Sequence, residues 1–330
     1  MGRRIVFMFS GQGSQYYKMG DELYRNHPGF RRHMDRCEAI ARPMLLGSIT
    51  DILYRGQGRG DPFERLLHTN PSLLAIQYSL AQVLMESGLR PDYLLGYSLG
   101  EITASAVSGM MDLEDAFRLV IGMARLVEEK TPPAEMMAIL DAPEILEGFP
   151  PLPPDCWITG RNFANHFVMA GLPGSMGELA QMLAGGHHIF QKLPVKHGFH
   201  TRLIDPIAAE FRALAAGFTF RHAGIPIVSS SRRCWVLREP DTDFFWKIIR
   251  NPVEFDRTVQ SFLETGDFLF VDVGPSGTLA TFLKYLLPPG SRSAALHMMN
   301  QFGKDLSSLE KLNETLGELA ENTVKTIGRN

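Results

Sequence analysis

The stretch DYLLGYSLGEITAS, from Asp92 to Ser105, decides how the chain is organised around it. The apolar run DYLLG predicts a buried strand, and LGEITASAVSG predicts the helix that follows. Between them, GYSLG fits the pattern G-x-S-x-G, which places Ser98 on a tight turn from strand to helix. Glycine at the two flanking positions, Gly96 and Gly100, avoids Cβ atoms that would clash in such a turn. Ser98 is therefore a candidate nucleophile, and a merely structural turn is the alternative.

Two sequence features predict donors for an oxyanion beside Ser98. The helix predicted to begin at Leu99 would point its free backbone N–H groups and positive dipole end at the serine. The loop SGQGSQ follows a short apolar run, Ile5 to Phe9, that predicts the first buried strand. Such a loop leaves N–H groups unpaired, so Gln12 is a second candidate donor. An ordinary glycine turn is the alternative for this loop.

A serine hydroxyl is a weak nucleophile near neutral pH and needs a base. The segment VKHGFHTRLIDP places His197 and His200 at the end of a predicted strand. For each, the alternative is an ordinary surface or hydrogen-bonded core histidine. A metal site is disfavoured, because neither these histidines nor His187 and His188 have carboxylate or cysteine neighbours in a recognised spacing. Neither SGQGSQ nor GQGRG at 56–60 fits a dinucleotide-binding loop, and no Walker-type lysine loop occurs.

Composition narrows the class of protein. The 330 residues are 45% hydrophobic, with a formal net charge of −3 and no basic block of the kind that binds nucleic acid. The three scattered cysteines, Cys37, Cys156 and Cys234, predict neither a disulfide framework nor a thiolate zinc site. No leader-like apolar run and no membrane-spanning stretch occurs in the sequence. We expect a cytoplasmic protein that binds neither nucleic acid nor membrane.

The predicted helices and strands become shorter after Thr131-Pro132-Pro133. Short strand-like and helix-like runs follow, which predicts a small α+β unit over 131–199 inserted into a larger α/β core formed by 1–130 and 200–300. The segment 301–330 is predicted as a C-terminal amphipathic helix that packs on its own domain. Its leucines lie at three- and four-residue spacing, at positions 306, 309, 312, 316 and 319. Nothing in the sequence requires more than a monomer.

Two further helices are predicted on either side of the Ser98 turn. Asn70 followed by Pro71 fits a helix N-cap with proline at the first helical position, so we expect a helix from there to Glu86. The segment Asp112–Glu129 predicts another.

Five motifs, taken together, resemble the malonyl-CoA:acyl-carrier-protein transacylase family. They are FMFSGQGSQ, GYSLGE, GFH, NPVEF and VDVGPSGTLA, and they occur in the family's order and spacing from about Ile5 to Leu286. The resemblance implies an α/β fold: an α/β-hydrolase-like large subdomain with an inserted ferredoxin-like small subdomain and an active site in the cleft between them. In type, the chain is most similar to the discrete acyltransferase homologues and acyl hydrolases of trans-acyltransferase polyketide synthases.

The resemblance also implies roles for individual residues. Ser98 would accept the acyl group, His200 would be its general base, and the N–H groups of Gln12 and Leu99 would bind the oxyanion. The substrate would be an acyl thioester on the phosphopantetheine of an acyl carrier protein or of coenzyme A, with no separate cofactor or metal.

Further positions follow from the same resemblance. A backbone carbonyl shortly before the NPV segment, placed at Ile248, would orient the imidazole of His200, with Asp205 as the alternative. Asn162 matches an asparagine near the pocket. Tyr97 stands where the family has histidine, which changes the pocket wall.

One departure bears on the substrate. Family members that use malonyl or methylmalonyl groups hold the free carboxylate with an arginine, and alignment puts Met123 at that position. At about 100° per helical residue, Arg118 lies roughly 140° and Arg125 roughly 200° away from Met123, so neither shares its face. A buried carboxylate without a cation would lose on the order of 2–5 kcal/mol. Methionine instead offers a flexible apolar wall suited to uncharged acyl chains.

The expected function is a proofreading acyl hydrolase that removes uncharged acyl units from acyl carrier proteins. The alternative is a malonyl-CoA:carrier-protein transacylase, because Phe199 in GFH resembles the residue of malonyl-using members. A third hypothesis is an inactive subunit that docks carrier proteins, which the presence of Ser98, His200 and Gln12 disfavours.

Overall fold

The computed structural model of the chain describes residues 3–231, 234–237, 240 and 243–312, and its strands form two separate sheets. The strands are β1 (Arg4–Phe9), β2 (Tyr93–Gly96), β3 (Glu135–Ile139), β4 (Cys156–Phe163), β5 (His166–Gly171), β6 (Phe190–Lys192), β7 (Ile227–Ser229), β8 (Cys234–Leu237), β9 (Val253–Glu254), β10 (Phe268–Asp272) and β11 (Ala294–His297). The α-helices are α1 (Asp21–Asn26), α2 (Pro28–Leu45), α3 (Ile49–Tyr54), α4 (Leu66–Glu86), α5 (Leu99–Val107), α6 (Leu113–Lys130), α7 (Pro173–Gly185), α8 (Ala208–Ala216), α9 (Phe244–Arg250), α10 (Phe255–Leu263) and α11 (Thr278–Leu286). Short 3₁₀ helices occupy Pro143–Gly148 and Arg202–Ile207.

The larger sheet has the strand order β11-β10-β1-β2-β7-β8 and is parallel except where β8 runs antiparallel to β7. Alternate residues of β1 enter different cores: Phe7 and Phe9 pack on one face, and Val6 and Met8 on the other. A parallel strand covered by apolar groups on both faces reads in sequence as an unbroken apolar run. This burial explains why Ile5 to Phe9 shows no polar alternation.

The smaller sheet has the order β6-β3-β5-β4-β9. It is antiparallel except where β9 runs parallel to β4, and α7 packs its apolar side on one face. Four of these strands lie inside the predicted insertion at 131–199, whereas β9 comes from Val253–Glu254, far along the chain. The predicted boundaries of the subdomains do not include this exchange of a strand.

The predicted helix start at Asn70 is wrong. Helix α4 begins earlier, at Leu66, and contains Pro71. The carboxylate of Glu128, on the neighbouring helix α6, accepts a hydrogen bond from the Leu67 N–H at 3.1 Å. A first-turn donor is therefore satisfied from another helix, and the buried Asn70 side chain is free for other contacts.

Only part of the predicted helix at 301–330 can be compared with the structure. Residues 305–312 are helical, and Leu309 and Leu312 are buried. Leu316 and Leu319 lie outside the described residues. Within the described part of the chain, every helix is too short or too polar to cross a membrane.

Candidate active site

The turns that follow β1 and β2 lie side by side. These strands are parallel neighbours, with Phe9 paired to Gly96, so their carboxyl ends meet at the same edge of the sheet. In open α/β sheets this edge is where ligands bind. The loop after Phe9 and the turn at Ser98 are therefore brought together by the topology alone.

The backbone at Ser98 has the conformation of a sharp strand-to-helix turn, with φ 53° and ψ −122°. A Cβ at position 100 would lie 2.0 Å from the Phe9 carbonyl oxygen, and a Cβ at position 96 would lie 2.4 Å from the Cα of Glu101. Both flanking glycines are thus required by close packing. A non-glycine residue at positive φ costs of order 1–3 kcal/mol and is concentrated at functional sites. The geometry favours the G-x-S-x-G interpretation over an ordinary turn.

Ser98 and His200 form a hydrogen-bonded pair. The distance from Ser98 Oγ to His200 Nε2 is 2.8 Å, and both side chains are buried. His200 also has a positive φ, 64°, and its backbone N–H donates to the Ile249 carbonyl at 2.8 Å. Two residues 102 positions apart in sequence therefore meet in the geometry of a nucleophile and its base.

The group that orients the imidazole is the backbone carbonyl of Asn251, so the expectation of Ile248 was wrong. His200 Nδ1 lies 2.7 Å from the Asn251 carbonyl oxygen. Ile248 lies within α9, where carbonyls point along the helix axis, whereas Asn251 leaves the helix in an extended conformation and turns its carbonyl outward. The alternative, Asp205, pairs instead with Arg250 at 2.6 Å.

Burial lowers the pKa of His200 to about 4, although the Asn251 carbonyl opposes the shift. The imidazole is therefore neutral at neutral pH. Because a carbonyl oxygen only accepts, Nδ1 carries the ring hydrogen and Nε2 is left to accept from the Ser98 hydroxyl. This is the state in which a histidine removes a serine proton.

The backbone N–H groups of Leu99 and Gln12 both lie at this site. Leu99 is the first residue of α5, and among the described residues neither N–H donates to a protein acceptor. The side-chain amide of Gln12 donates to Thr69 Oγ1 at 2.9 Å and also to Asn70 Oδ1. The loop carrying Gln12 is thereby fixed to α4. Both residues line the cavity beside Ser98, and an oxyanion hole needs two such unpaired N–H donors.

Tyr97 and Asn162 contact each other across the two sheets. The Tyr97 hydroxyl donates to Asn162 Oδ1 at 2.9 Å, and Asn162 Nδ2 lies 2.9 Å from His166 Nδ1. A Cβ at position 160 would come within 3.0 Å of the Tyr97 hydroxyl, so Gly160 makes room for the phenol. Burial raises the pKa of Tyr97, which keeps the hydroxyl protonated as a donor. Tyr97 lines the cavity, whereas Asn162, predicted near the pocket, is not among the lining residues and is joined to the cavity wall through the Tyr97 hydroxyl.

A cavity of about 50 Å³ adjoins Ser98 and His200, several times the space that one water needs. Its wall also includes Gln12, Tyr97, Leu99 and Thr159. The remaining lining is apolar: Met123, Met136, Val168, Leu193, Val195, Phe199 and Ile249. Within the described part of the chain, no Lys, Arg, Asp or Glu lines this cavity.

The nearby arginines of α6 point elsewhere. Met123 is buried and lines the cavity. Arg118 pairs with Glu114 at 2.5 Å, and Arg125 donates to the Met44 carbonyl, both in exposed positions. Neither arginine therefore lines the cavity.

Sequence reasoning missed six wall residues: Met136, Thr159, Val168, Leu193, Val195 and Ile249. Met136 lies on β3, Thr159 on β4 and Val168 on β5, so these three come from the smaller sheet. Met136 belongs to the predicted strand MMAIL. The strand pattern does not indicate which face of that strand is directed towards Ser98. Only the packing of the two sheets supplies that information.

The chain is similar in sequence to a known domain family and to two proteins of Bacillus species. The sequence profile of the acyl transferase domain matches residues 6–318. The chain is 37% identical over 311 residues to the polyketide biosynthesis acyltransferase homolog PksD of Bacillus subtilis, covering 94% of this chain and 95% of that protein. It is 36% identical to the homolog BaeD of Bacillus velezensis, covering 96% and 98%.

Two solved structures share the fold. A loading acyltransferase of the avermectin polyketide synthase superposes with a TM-score of 0.82 at 26% identity, covering 94% of this chain and 99% of that one. MCAT from Streptococcus pneumoniae superposes with a TM-score of 0.78 at 25% identity, covering 94% and 100%. The expected α/β fold, with a large subdomain and a small ferredoxin-like one, is confirmed. From its sequence match, its fold and its relatives, the chain belongs to the acyl transferase domain family.

Proposed function

We propose that this acyltransferase-family chain is a serine-dependent hydrolase of acyl thioesters, which removes uncharged acyl units from acyl carrier proteins in polyketide biosynthesis. The observation that carries the proposal is the uncharged cavity beside the Ser98–His200 pair. The polyketide context is supported by the two Bacillus relatives, whose names place them in polyketide biosynthesis.

The first half of the reaction transfers the acyl group to the protein. Ser98 Oγ attacks the thioester carbonyl carbon while His200 Nε2 takes the hydroxyl proton. The N–H groups of Gln12 and Leu99 bind the oxyanion, and one such donor contributes about 3 kcal/mol. When the tetrahedral intermediate collapses, the carbon–sulfur bond breaks and the leaving thiolate takes the proton from His200.

The second half releases the acyl group. A water molecule attacks the Ser98 ester, His200 accepts a proton from the water, and a second oxyanion forms at the same donors. Collapse returns the proton to Ser98 Oγ and frees the carboxylic acid. The phosphopantetheine arm of the carrier protein, or coenzyme A, belongs to the substrate, so the mechanism needs no bound cofactor.

The cavity wall supports a preference for uncharged acyl groups. A malonyl carboxylate placed against Met123, Met136 and Val168 would lose its hydration and gain no cation. The loss of an ion-pair partner costs on the order of 2–5 kcal/mol. An acetyl or other short neutral chain instead meets apolar side chains and loses little on transfer from water.

A malonyl-CoA:carrier-protein transacylase is the second candidate. The observation in its favour is Phe199, which lines the cavity one residue before His200 and resembles the residue of malonyl-using members. In this alternative a carrier-protein thiol replaces water as the acceptor, and the chemistry at Ser98 is otherwise the same.

The test follows both products by mass. Carrier protein loaded with acetyl or with malonyl is incubated with the protein, and released acid is measured beside acyl groups transferred from coenzyme A to free carrier. We expect release of acetate in preference to malonate, and loss of that release in Ser98→Ala. Malonyl transfer with little release would favour the transacylase. Retained carrier binding without any turnover would leave only the docking role.

A further inference from the structure

Glu101 lies directly beneath the Ser98 turn and is fully buried. One of its carboxylate oxygens, Oε1, accepts from Ser231 Oγ at 2.8 Å, from the Ser231 N–H at 3.2 Å and from Ser230 Oγ at 3.3 Å. The other oxygen, Oε2, has no partner among the described residues. Glu101 does not line the cavity, so it has no contact with the substrate site.

The serine segment that Glu101 holds has two further contacts. The single Ser230 hydroxyl hydrogen is shared between Glu101 Oε1 and the Gly96 carbonyl, which is the nearer acceptor at 2.7 Å and lies two residues before the candidate nucleophile. The Ser230 carbonyl accepts from the Glu254 N–H at 2.9 Å. The segment after β7 therefore contacts the Ser98 turn on one side and β9 on the other.

These contacts close a ring. Strand β9 begins two residues after Asn251, whose carbonyl holds the imidazole of His200, and His200 in turn contacts Ser98. The ring passes through Ser98, Glu101, Ser230, Glu254, Asn251 and His200. The part of the chain that carries the nucleophile and the part that orients the base are thus connected twice: once by the reacting pair itself and once through Glu101 and its serines.

We propose that Glu101 is a positioning residue that keeps Ser98 and His200 at reacting distance by fixing the Ser98 turn to the serine segment 229–231. The inference rests on the proposed function, since it needs Ser98 and His200 to react. Misplacement of reacting groups by about 1 Å costs on the order of 10²-fold in rate, so a linkage of this kind has a large effect although it never touches the substrate.

The burial of the Glu101 carboxylate indicates a role other than stabilising the folded state. It raises the pKa of Glu101 to about 7, because the ionised carboxylate is removed from water, although the hydrogen bonds from the serines oppose the shift. Burying a carboxylate is costly, and Glu101 offsets this cost with hydrogen bonds from the serine segment that borders the Ser98 turn. Asp305 offers a matched comparison: its residue is equally buried, and burial raises its pKa to about 6 although a backbone hydrogen bond from Asn300 opposes the shift, but it contacts no part of the ring.

The experiment compares Glu101→Ala, Glu101→Gln and the control Asp305→Asn, each with steady-state release of acetate from acetyl-loaded carrier protein. We expect kcat to fall about 10- to 100-fold in Glu101→Ala, with KM changed less than about threefold. Glu101→Gln keeps an amide oxygen for the same three donors, so kcat should recover to within about fivefold of the wild type. Asp305→Asn should leave both constants unchanged.

A Glu101→Ala protein that unfolds at lower temperature but keeps the wild-type kcat would overturn the proposal, and so would a rise in KM alone. If Glu101→Ala does not fold, Ser230→Ala tests the same linkage, with an expected loss of about tenfold in kcat and a contrary result of none. Intact-protein mass separates this outcome from failure of the proposed function. A wild-type protein that never forms acyl-Ser98 refutes the function itself, whereas acyl-Ser98 in the wild type with unaffected Glu101 variants refutes only the positioning role.

Discussion

The two ends of the cavity, the reaction end at Ser98 and His200 and the acyl end at Met123, differ in their use of backbone groups and side chains. At the reaction end, backbone groups support the Ser98–His200 pair: the carbonyl of Asn251 contacts the imidazole, and we propose the N–H groups of Gln12 and Leu99 as oxyanion donors. At the acyl end, side chains such as Met123 and Met136 form the wall. A backbone group survives substitution of its residue, whereas a side chain does not. The reaction can therefore stay the same within such a fold while the acyl group it accepts changes.

The reaction end is also the more strongly constrained. Ser98 and His200 both have positive φ, and the glycines beside Ser98 admit no Cβ. By contrast, Met123 sits on a regular helix, where many side chains are compatible with the backbone. The following predictions test this separation between chemistry and acyl choice.

The largest effect is expected from removing the base. In His200→Ala, kcat for acyl release should fall about 10³- to 10⁴-fold, because the Ser98 hydroxyl then has no proton acceptor. Steady-state assays with acetyl-loaded carrier measure the loss, and Asp205→Asn serves as a control that should lose little. Equal losses in the two variants would show that the carbonyl of Asn251 is not the sole orienting group.

A large change in selectivity is expected from Met123→Arg. A guanidinium in the cavity supplies the missing cation, so the ratio of malonyl to acetyl turnover should rise by at least about 30-fold, which corresponds to about 2 kcal/mol. Met123→Leu keeps an apolar side chain and should leave the ratio within about threefold. Competition between the two loaded carriers measures the ratio. An unchanged ratio in a folded Met123→Arg protein would mean that the acyl end lies elsewhere.

A smaller effect is expected from Tyr97→Phe. Loss of the phenolic hydroxyl leaves the buried Asn162 oxygen without its donor, so the free energy of unfolding should fall by about 1–3 kcal/mol. Tyr93→Phe, on the strand that precedes Tyr97, is the control: its hydroxyl lies 3.4 Å from Arg4 in a partly buried position, and its loss should cost less. Denaturant unfolding compares them. Equal losses of unfolding free energy in the two variants would argue against a distinct role for the hydrogen bonds that link Tyr97, Asn162 and His166.

The smallest change is expected on lowering the pH from 8 to 5. With a pKa of about 4, His200 stays neutral, so in Glu101→Gln, where the carboxyl with a pKa of about 7 is gone, kcat/KM should change less than about twofold; an ordinary histidine would cause a loss of about 30-fold. The free energy of unfolding also falls as the pH is lowered. The pKa of His200 is lower in the folded state, so the unfolded state binds the proton first. This contribution, about 3 kcal/mol, is present above pH 6.5 and is lost as the pH falls towards 4. An acid limb centred near pH 6.5 that persists in Glu101→Gln would contradict the burial of His200.

The sequence predicted the reaction end better than the acyl end for physical reasons. The turn at Ser98 and the strand before the Gln12 loop leave local signals, since glycine spacing and apolar runs depend on near neighbours in the chain. His200 and Asn162 were placed through motif order, which encodes the fold indirectly. The error at Ile248 shows the limit, because motif spacing alone does not say where a helix ends and which carbonyl turns outward.

Contacts between distant elements left no local signal at all. Neither the exchange of β9 into the smaller sheet nor the Glu128 carboxylate at the start of α4 could be predicted from pattern. The same holds for Thr159 and Leu193, which line the cavity together with residues that are distant in sequence, Ser98 and His200. Such features depend on tertiary packing, which overrides local propensity.

The most direct test of the uncharged acyl end is a competition for Ser98 itself. The protein is mixed with equimolar acetyl- and malonyl-coenzyme A, quenched within the first turnover, and the mass added to the serine is read by intact-protein mass spectrometry, with Ser98→Ala as the blank. The structure predicts an excess of acetyl over malonyl of at least about tenfold, equal to about 1.4 kcal/mol. Malonyl bound to Ser98 as often as acetyl, or more often, would contradict it.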